Sequence, residues 1–156
     1  MGFDSIATAI LMSAVVLTAA YVLMTGNSYL AEETLESYRE YTHASLQRLQ
    51  SKVQILAVNY EGTVLIAYLK NVGSTKFEDF SSFDVIVYGK TESGTYVSDY
   101  LKANFEIVKE LINPGIFDPQ ETARCSVSIS LPEGNYSLLI CTPNAICSSF
   151  EFYVGG

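Results

Sequence analysis

Residues able to do chemistry are few in this 156-residue chain, and they lie far apart. His43 is the only histidine and Cys125, Cys141 and Cys147 are the only cysteines. A nucleophilic triad needs a base, a nucleophile and an orienting acid, and an imidazole metal site needs further ligands close by. His43 sits between Thr42 and Ala44 with no second histidine or cysteine nearby, so it reads as a solvated helix residue. No glycine-rich phosphate loop, HExxH, CxxC or GxSxG occurs. The acidic pairs are Glu32-Glu33 and Glu78-Asp79. Calcium needs several spaced oxygen ligands, so Glu78-Asp79, just before Phe80, reads as a solvated turn. The expectation is a protein with no catalytic residues, metal, cofactor or small-molecule substrate, which works by binding or by structure.

Three local patterns stand out among the remaining polar and aromatic residues. Cys141 and Cys147 bracket Thr142-Pro143-Asn144-Ala145-Ile146. If the flanking segments form a hairpin, the two could close a small disulfide ring, which suits an exported domain. Three reduced cysteines are the alternative, since one sequence does not settle pairing. A Pro132–Asn135 turn pairing Leu131 with Tyr136 would set Cys125 opposite Thr142. Cys125 and Cys141 would then point apart, leaving Cys125 to pack as a small buried hydrophobe. Asn135-Tyr136-Ser137 fits the N-glycosylation acceptor pattern, on a predicted turn. Phe77, Phe80 and Phe83 crowd one predicted loop. Exposed, they would form an aromatic interface; buried, they would cap the bottom of a core.

These residues need elements to hold them, and composition bounds what those are. Hydrophobic residues make up 49% and charged residues 17%, which excludes a disordered chain. The net charge is −8, and the nine Lys and Arg are scattered, which argues against a nucleic-acid surface. From Ser5 to Ala31 no residue is charged. The run Ile6–Met24, including Ile6, Ile10, Val15, Leu17, Tyr21 and Leu23, spans about 28 Å as a helix, close to the thickness of a bilayer core. A cleaved signal peptide would want a basic start and a shorter core, and a buried core helix of this length would carry charges. A retained membrane or filament-core helix fits the span. Its small residues, such as Ala7, Ala14 and Ala19, suit close helix packing in lipid. Gly26-Asn27-Ser28 predicts a kink or break. Beyond it, Leu35, Tyr38, Thr42, Leu46, Leu49 and Val53 recur at spacings of three and four, the stripe of an amphipathic helix.

After Ser51 the period changes to two. Strands are predicted over Val53–Asn59, Thr63–Asn71, Phe83–Tyr88, Thr95–Leu101, Phe105–Leu111, Ala123–Leu131, Tyr136–Thr142 and Ser148–Val154. Gly and Pro turns separate them. Phe105–Leu111 could instead form a short helix. In Arg124–Leu131, Cys125, Val127, Ile129 and Leu131 alternate with Arg124, Ser126, Ser128 and Ser130, one face apolar and one polar. The expected fold is a long N-terminal helix over residues 1–52, followed over 53–156 by an all-β, Ig-like antiparallel sandwich.

The opening Met1–Ile10, the stretch Leu69-Lys70-Asn71-Val72-Gly73-Ser74-Thr75 and the stretch Phe83-Asp84-Val85-Ile86-Val87-Tyr88-Gly89 resemble the archaeal flagellin and type IV pilin-like superfamily. Within it they are most similar to the small archaellum accessory stator proteins FlaF and FlaG. The resemblance implies that the "N-x-GST … DV-x-V-x-G" segment forms one edge of the sandwich. It implies a membrane anchor whose β-domain lies in the extracytoplasmic space, contacts the S-layer protein and braces the archaellum motor. Its partners would be copies of itself or related pilin-like subunits, the S-layer and the membrane. Filament-forming members carry a basic leader, and none is visible here, which suits a stator or an already mature chain. Bacterial pilins carry Glu at the fifth mature position, whereas here the acid is Asp4 and Ser occupies position 5. The rival reading is an extracellular filament subunit, an archaellin or adhesive pilin whose N-terminal helices pack into the filament core.

Overall fold

The computed structural model describes residues 2–155, with side chains from residue 5 onward. Met1 and the side chain of Asp4, which enter the resemblance above, lie outside the described residues. The chain divides into two compact units, Met1–His43 and Ala44–Gly156. One helix, α1, runs Gly2–Gln50. The expected interruption at Gly26-Asn27-Ser28 is absent, and helical backbone continues through it. A single interior glycine costs a helix only about 1 kcal/mol, too little to break one so long. Ser28 also satisfies itself within the helix, donating to the Met24 carbonyl at 3.0 Å.

Eight strands follow: β1 Val53–Glu61, β2 Val64–Asn71, β3 Asp84–Thr91, β4 Tyr96–Leu101, β5 Asn104–Ile107, β6 Thr122–Ser128, β7 Gly134–Cys141 and β8 Cys147–Val154. They form two four-stranded antiparallel sheets, β1-β2-β6-β5 and β4-β3-β7-β8. This is the all-β sandwich expected from the period-two pattern. β2 alternates half-buried and buried residues along its length, the trace of one face on a core. Leu65, Ala67 and Leu69 of one sheet and Val85, Val87, Leu138 and Ile140 of the other meet in the interior. Each larger aliphatic side chain removed from water there contributes about 1.5–3 kcal/mol.

Three expectations about topology are corrected. The Asn71 and Gly89 segments are no edge: β2 lies between β1 and β6, and β3 between β4 and β7. Pro132–Asn135 does not close a hairpin, because β6 and β7 belong to different sheets. The chain alternates four hairpins between the two sheets, and the segment after β6 is a crossing. Cys125 therefore faces Ala67 and Phe105 across its ladders, and Cys141 faces Asp84 and Cys147. Finally, the Phe105–Leu111 region is strand only over Phe105–Ile107, the last three residues of β5. Buried acceptors beyond it take over its backbone, as described below.

Candidate functional site

The first feature without an internal partner is the apolar part of α1. Ile6, Ile10, Val15, Leu17, Tyr21 and Leu23 are between 61% and 71% exposed. This helix is long and apolar enough to cross a membrane, with a mean hydropathy of 2.2 over its most apolar window. Three of its hydroxyls bond the helix's own backbone. Ser13 donates to the Ile10 carbonyl, Thr18 to Ala14 and Thr25 to Tyr21, at 2.9, 3.0 and 2.9 Å. Polar groups satisfied in this way can enter a medium that offers no hydrogen bonds. His43 is exposed on the same helix, as read.

The second feature is the ending of α1, built by the Asn71–Thr75 segment. Asn71 is fully buried at the end of β2. Its side-chain amide donates to the carbonyls of Thr75 (2.8 Å) and Phe117 (3.2 Å), and its carbonyl oxygen accepts from the Gly73 amide (3.1 Å). The loop curled around it points its amides at the end of the helix. Val72 and Gly73 both donate to the Lys52 carbonyl, and Ser74 donates to the Gln50 carbonyl, at 2.9, 2.8 and 2.8 Å. Carbonyls in a helix's last turn have no intrahelical donor, so the Ser74 bond satisfies the Gln50 carbonyl, and the two bonds to Lys52 hold the chain just beyond the helix. The approach is close enough to require glycine. A β-carbon on Gly73 would strike the Gln50 carbonyl oxygen and lie 2.5 Å from the Lys52 amide nitrogen. The buried Ser51 hydroxyl donates to the Gln47 carbonyl (2.7 Å) and lies 3.0 Å from the Thr75 hydroxyl.

The cysteines meet this ending from the other side. Cys141 and Cys147 form a disulfide with sulfurs 2.03 Å apart, at facing positions of β7 and β8. Inside the ring, Ala145 has φ 57°, a left-handed conformation that costs a residue with a β-carbon about 1–2 kcal/mol. Beside it, the Asn144 amide donates to the Ser51 hydroxyl at 2.7 Å. Cys125 is free and buried, and burial pushes its thiol up to about 12.

The remaining expected site residues fall as follows. Phe77 and Phe83 are in the core, and Phe80 is half-buried, so they form no exposed aromatic patch. They fill one end of the sandwich with two rings the sequence did not single out. Phe80 stacks on Phe105 with centroids 4.7 Å apart and lies 5.3 Å from Phe117, which is fully buried. Two sheets leave an open end that needs large side chains, and five phenylalanines supply them. Exposed aromatics lie instead on the outer face of the second sheet, where Tyr88, Tyr96, Tyr100 and Tyr153 stand. Asn135 is exposed on that face, within β7 between Lys90 and Tyr153 rather than on a turn. Asp79 forms the expected turn, accepting from the amide and hydroxyl of Ser81, bonds that hold its carboxyl below the usual value. Among the described residues, no group of three or more His, Cys, Asp or Glu could hold a metal ion.

Two carboxylates that sequence reasoning missed are fully covered. Glu121 accepts from the amides of Leu111 (2.6 Å) and Asp118 (2.9 Å). Asp118 accepts from the amide and side chain of Asn113 at 3.1 and 2.8 Å, and pairs with the Lys76 ammonium at 3.3 Å. Together they replace a strand ladder for the segment between β5 and β6. Burial pushes the Asp118 carboxyl up, but the bonds from Asn113 and Lys76 outweigh it and hold it below the usual carboxylate value. A carboxylate with a depressed folded-state value adds stability above its unfolded value, and that stability is lost as pH falls through the folded one. Urea melts of the full chain should therefore show a loss of stability beginning near pH 4 and deepening below it. Asp118→Asn should be less stable at pH 7 and lose less on acidification. Parallel pH profiles for the two proteins would show that Asp118 is not the group responsible.

No protein-family profile matches the chain. An uncharacterised protein of Archaeoglobus fulgidus is 45% identical over 157 aligned positions, covering 99% of this chain and 98% of that protein. Two solved structures are similar at lower levels. The archaellum periplasmic stator protein FlaG of Sulfolobus acidocaldarius is 20% identical over 65% of this chain and 99% of its own, with a TM-score of 0.47. The periplasmic stator complex of FlaF and FlaG from the same organism gives 21% identity over 64% of this chain and 87% of that chain, with a TM-score of 0.49. At that level these two carry no weight for the fold or function of this chain.

Proposed function

The chain belongs to the same family as this Archaeoglobus fulgidus protein, which it matches from end to end, and we propose that it is an archaellum accessory protein held in the cell membrane. In this reading residues 1–52 are the anchor and residues 53–156 the working domain. The domain stands outside the cytoplasm, associates with its own or related pilin-like subunits and braces the motor against the S-layer. Catalysis plays no part. One observation carries the reading: an uncharged helical stretch of bilayer length, Ser5–Ala31, exposed along its whole apolar run, precedes a sandwich that buries its own core. Such a surface needs lipid or other helices around it. The Asn71–Thr75 and Asp84–Gly89 segments, similar to those of archaellum accessory proteins, supply the specific assignment. The acceptor tripeptide at Asn135, exposed on the outer face of the second sheet, is proposed as a glycosylation site of the exported domain.

The test is the native material itself. The full chain, expressed in an archaeal host, is expected in the membrane fraction as small particles by electron microscopy. Its detergent-solubilised form should sediment with isolated S-layer lattice. Long fibres built of this chain would replace the stator reading with the filament-subunit one. Membrane particles that ignore the lattice at every pH the host tolerates would remove the anchoring role.

A further inference from the structure

We infer that the Cys141–Cys147 disulfide is the redox-sensitive side of a two-sided clasp on the end of α1. The inference stands apart from any archaellum role. One side of the clasp is permanent: Val72, Gly73 and Ser74, curled around the buried Asn71 side chain, bring backbone amides to the carbonyls of Lys52 and Gln50. The other side is the disulfide ring, which reaches the same point through a single side chain, with Asn144 donating to Ser51. Ser51 is the hub, because its hydroxyl also donates to Gln47, its amide donates to Gln47 at 2.9 Å, and Thr75 lies against it. The residue after Asn144 is Ala145, held left-handed at φ 57°. An L residue with a β-carbon leaves that conformation when its surroundings allow. The ring closure holds it there, with three bonds: the Thr142 amide to the Ile146 carbonyl, the Ala145 amide to the Thr142 carbonyl, and the Ile146 amide to the Thr142 hydroxyl.

Reduction by an external dithiol breaks the bond between the two sulfurs. Two electrons and two protons leave two thiols, while the dithiol closes to its own disulfide. With the ring open, Ala145 relaxes and Asn144 leaves Ser51. The last helical turn is then held from the Asn71 side alone. In an oxidising compartment the clasp is closed on both sides; a reducing one opens half of it.

Amide hydrogen exchange of the full chain in detergent micelles reads this directly. Exchange at Ser51, Gly73 and Ser74 should be slow in the oxidised protein. Adding dithiothreitol should speed it about three- to tenfold, the loss of roughly one hydrogen bond, while amides of β2 and β6 stay unchanged. Oxidised Asn144→Ala should show the same acceleration, and reduction should add nothing to it. Cys141→Ser paired with Cys147→Ser should behave as the reduced wild type does without any reagent. The inference is overturned if reduction leaves these amides unchanged. It is equally overturned if reduction accelerates them as much on the Asn144→Ala background, or if the acceleration spreads evenly over the sandwich.

Discussion

Val127→Asp should lower the stability of the sandwich by more than about 3 kcal/mol, and its neighbour Ser128→Asp by no more than about 0.5 kcal/mol. Val127 is 4% exposed in β6, faces the opposite sheet and sits across from Leu65. An aspartate there must either ionise without a partner in an apolar interior or take up a proton, and both cost free energy relative to the unfolded chain. Ser128 pairs with Val64 on the outer face, where a carboxylate keeps its water. A domain of this size is held by about 5–15 kcal/mol, so the first change removes a large share of it and the second almost none. Urea midpoints followed by the β-sheet signal decide the matter. Equal midpoints for the two variants would mean that β6 does not alternate between core and solvent as the structure has it.

That alternation was legible in the sequence because a half-buried strand writes its orientation into every second residue. Cys125, Val127, Ser126 and Ser128 needed no partner strand to be sorted into faces. The long helix was legible for a similar reason: absence of charge over Ser5–Ala31 is a property of one continuous stretch. What could not be read depends on residues distant in the chain. The placement of β6 and β7 in different sheets turns on which strands pair, and Pro132–Asn135 looks like a hairpin turn whether or not the next strand changes sheet. The burial of Phe77 and Phe83 depends on Phe117, about forty residues away from the first of them, closing the same end of the sandwich. The pattern Asn71–Thr75 was visible as a resemblance, but its work was not. Nothing in those five residues announces that the end of a helix lies against them. Asp118 and Glu121 read as ordinary charged loop residues, because a carboxylate that binds backbone amides is chosen for geometry and leaves no periodic trace.

The glycine that closes the Asp84–Gly89 stretch should prove one of the least replaceable residues of the second sheet. Gly89 points inward from β3, opposite Tyr136 of β7. Tyr136 is 2% exposed, donates its hydroxyl to the Pro132 carbonyl at 2.9 Å and stacks near Phe152 with centroids 5.9 Å apart. The ring is thus fixed at both ends, and it occupies the space a side chain at position 89 would need. A β-carbon on Gly89 would collide with the Asn135 carbonyl oxygen and lie 2.7 Å from both the α-carbon and the Cδ1 atom of Tyr136. Overpacking of this kind typically costs about 1–3 kcal/mol, and contact with backbone puts Gly89→Ala at the upper end, with Gly89→Val beyond it. Two of the three contacts are to main chain, so trimming the ring offers little relief. Gly89→Ala in a Tyr136→Ala background should remain destabilised relative to Tyr136→Ala alone by nearly the full amount. Thermal and urea unfolding of the four proteins form a double-mutant cycle that isolates the term. If Tyr136→Ala fully rescues Gly89→Ala, the glycine serves only to seat a ring. If it does not, the glycine sets how closely the two central strands approach, and with that the position of Asn135 on the outer face.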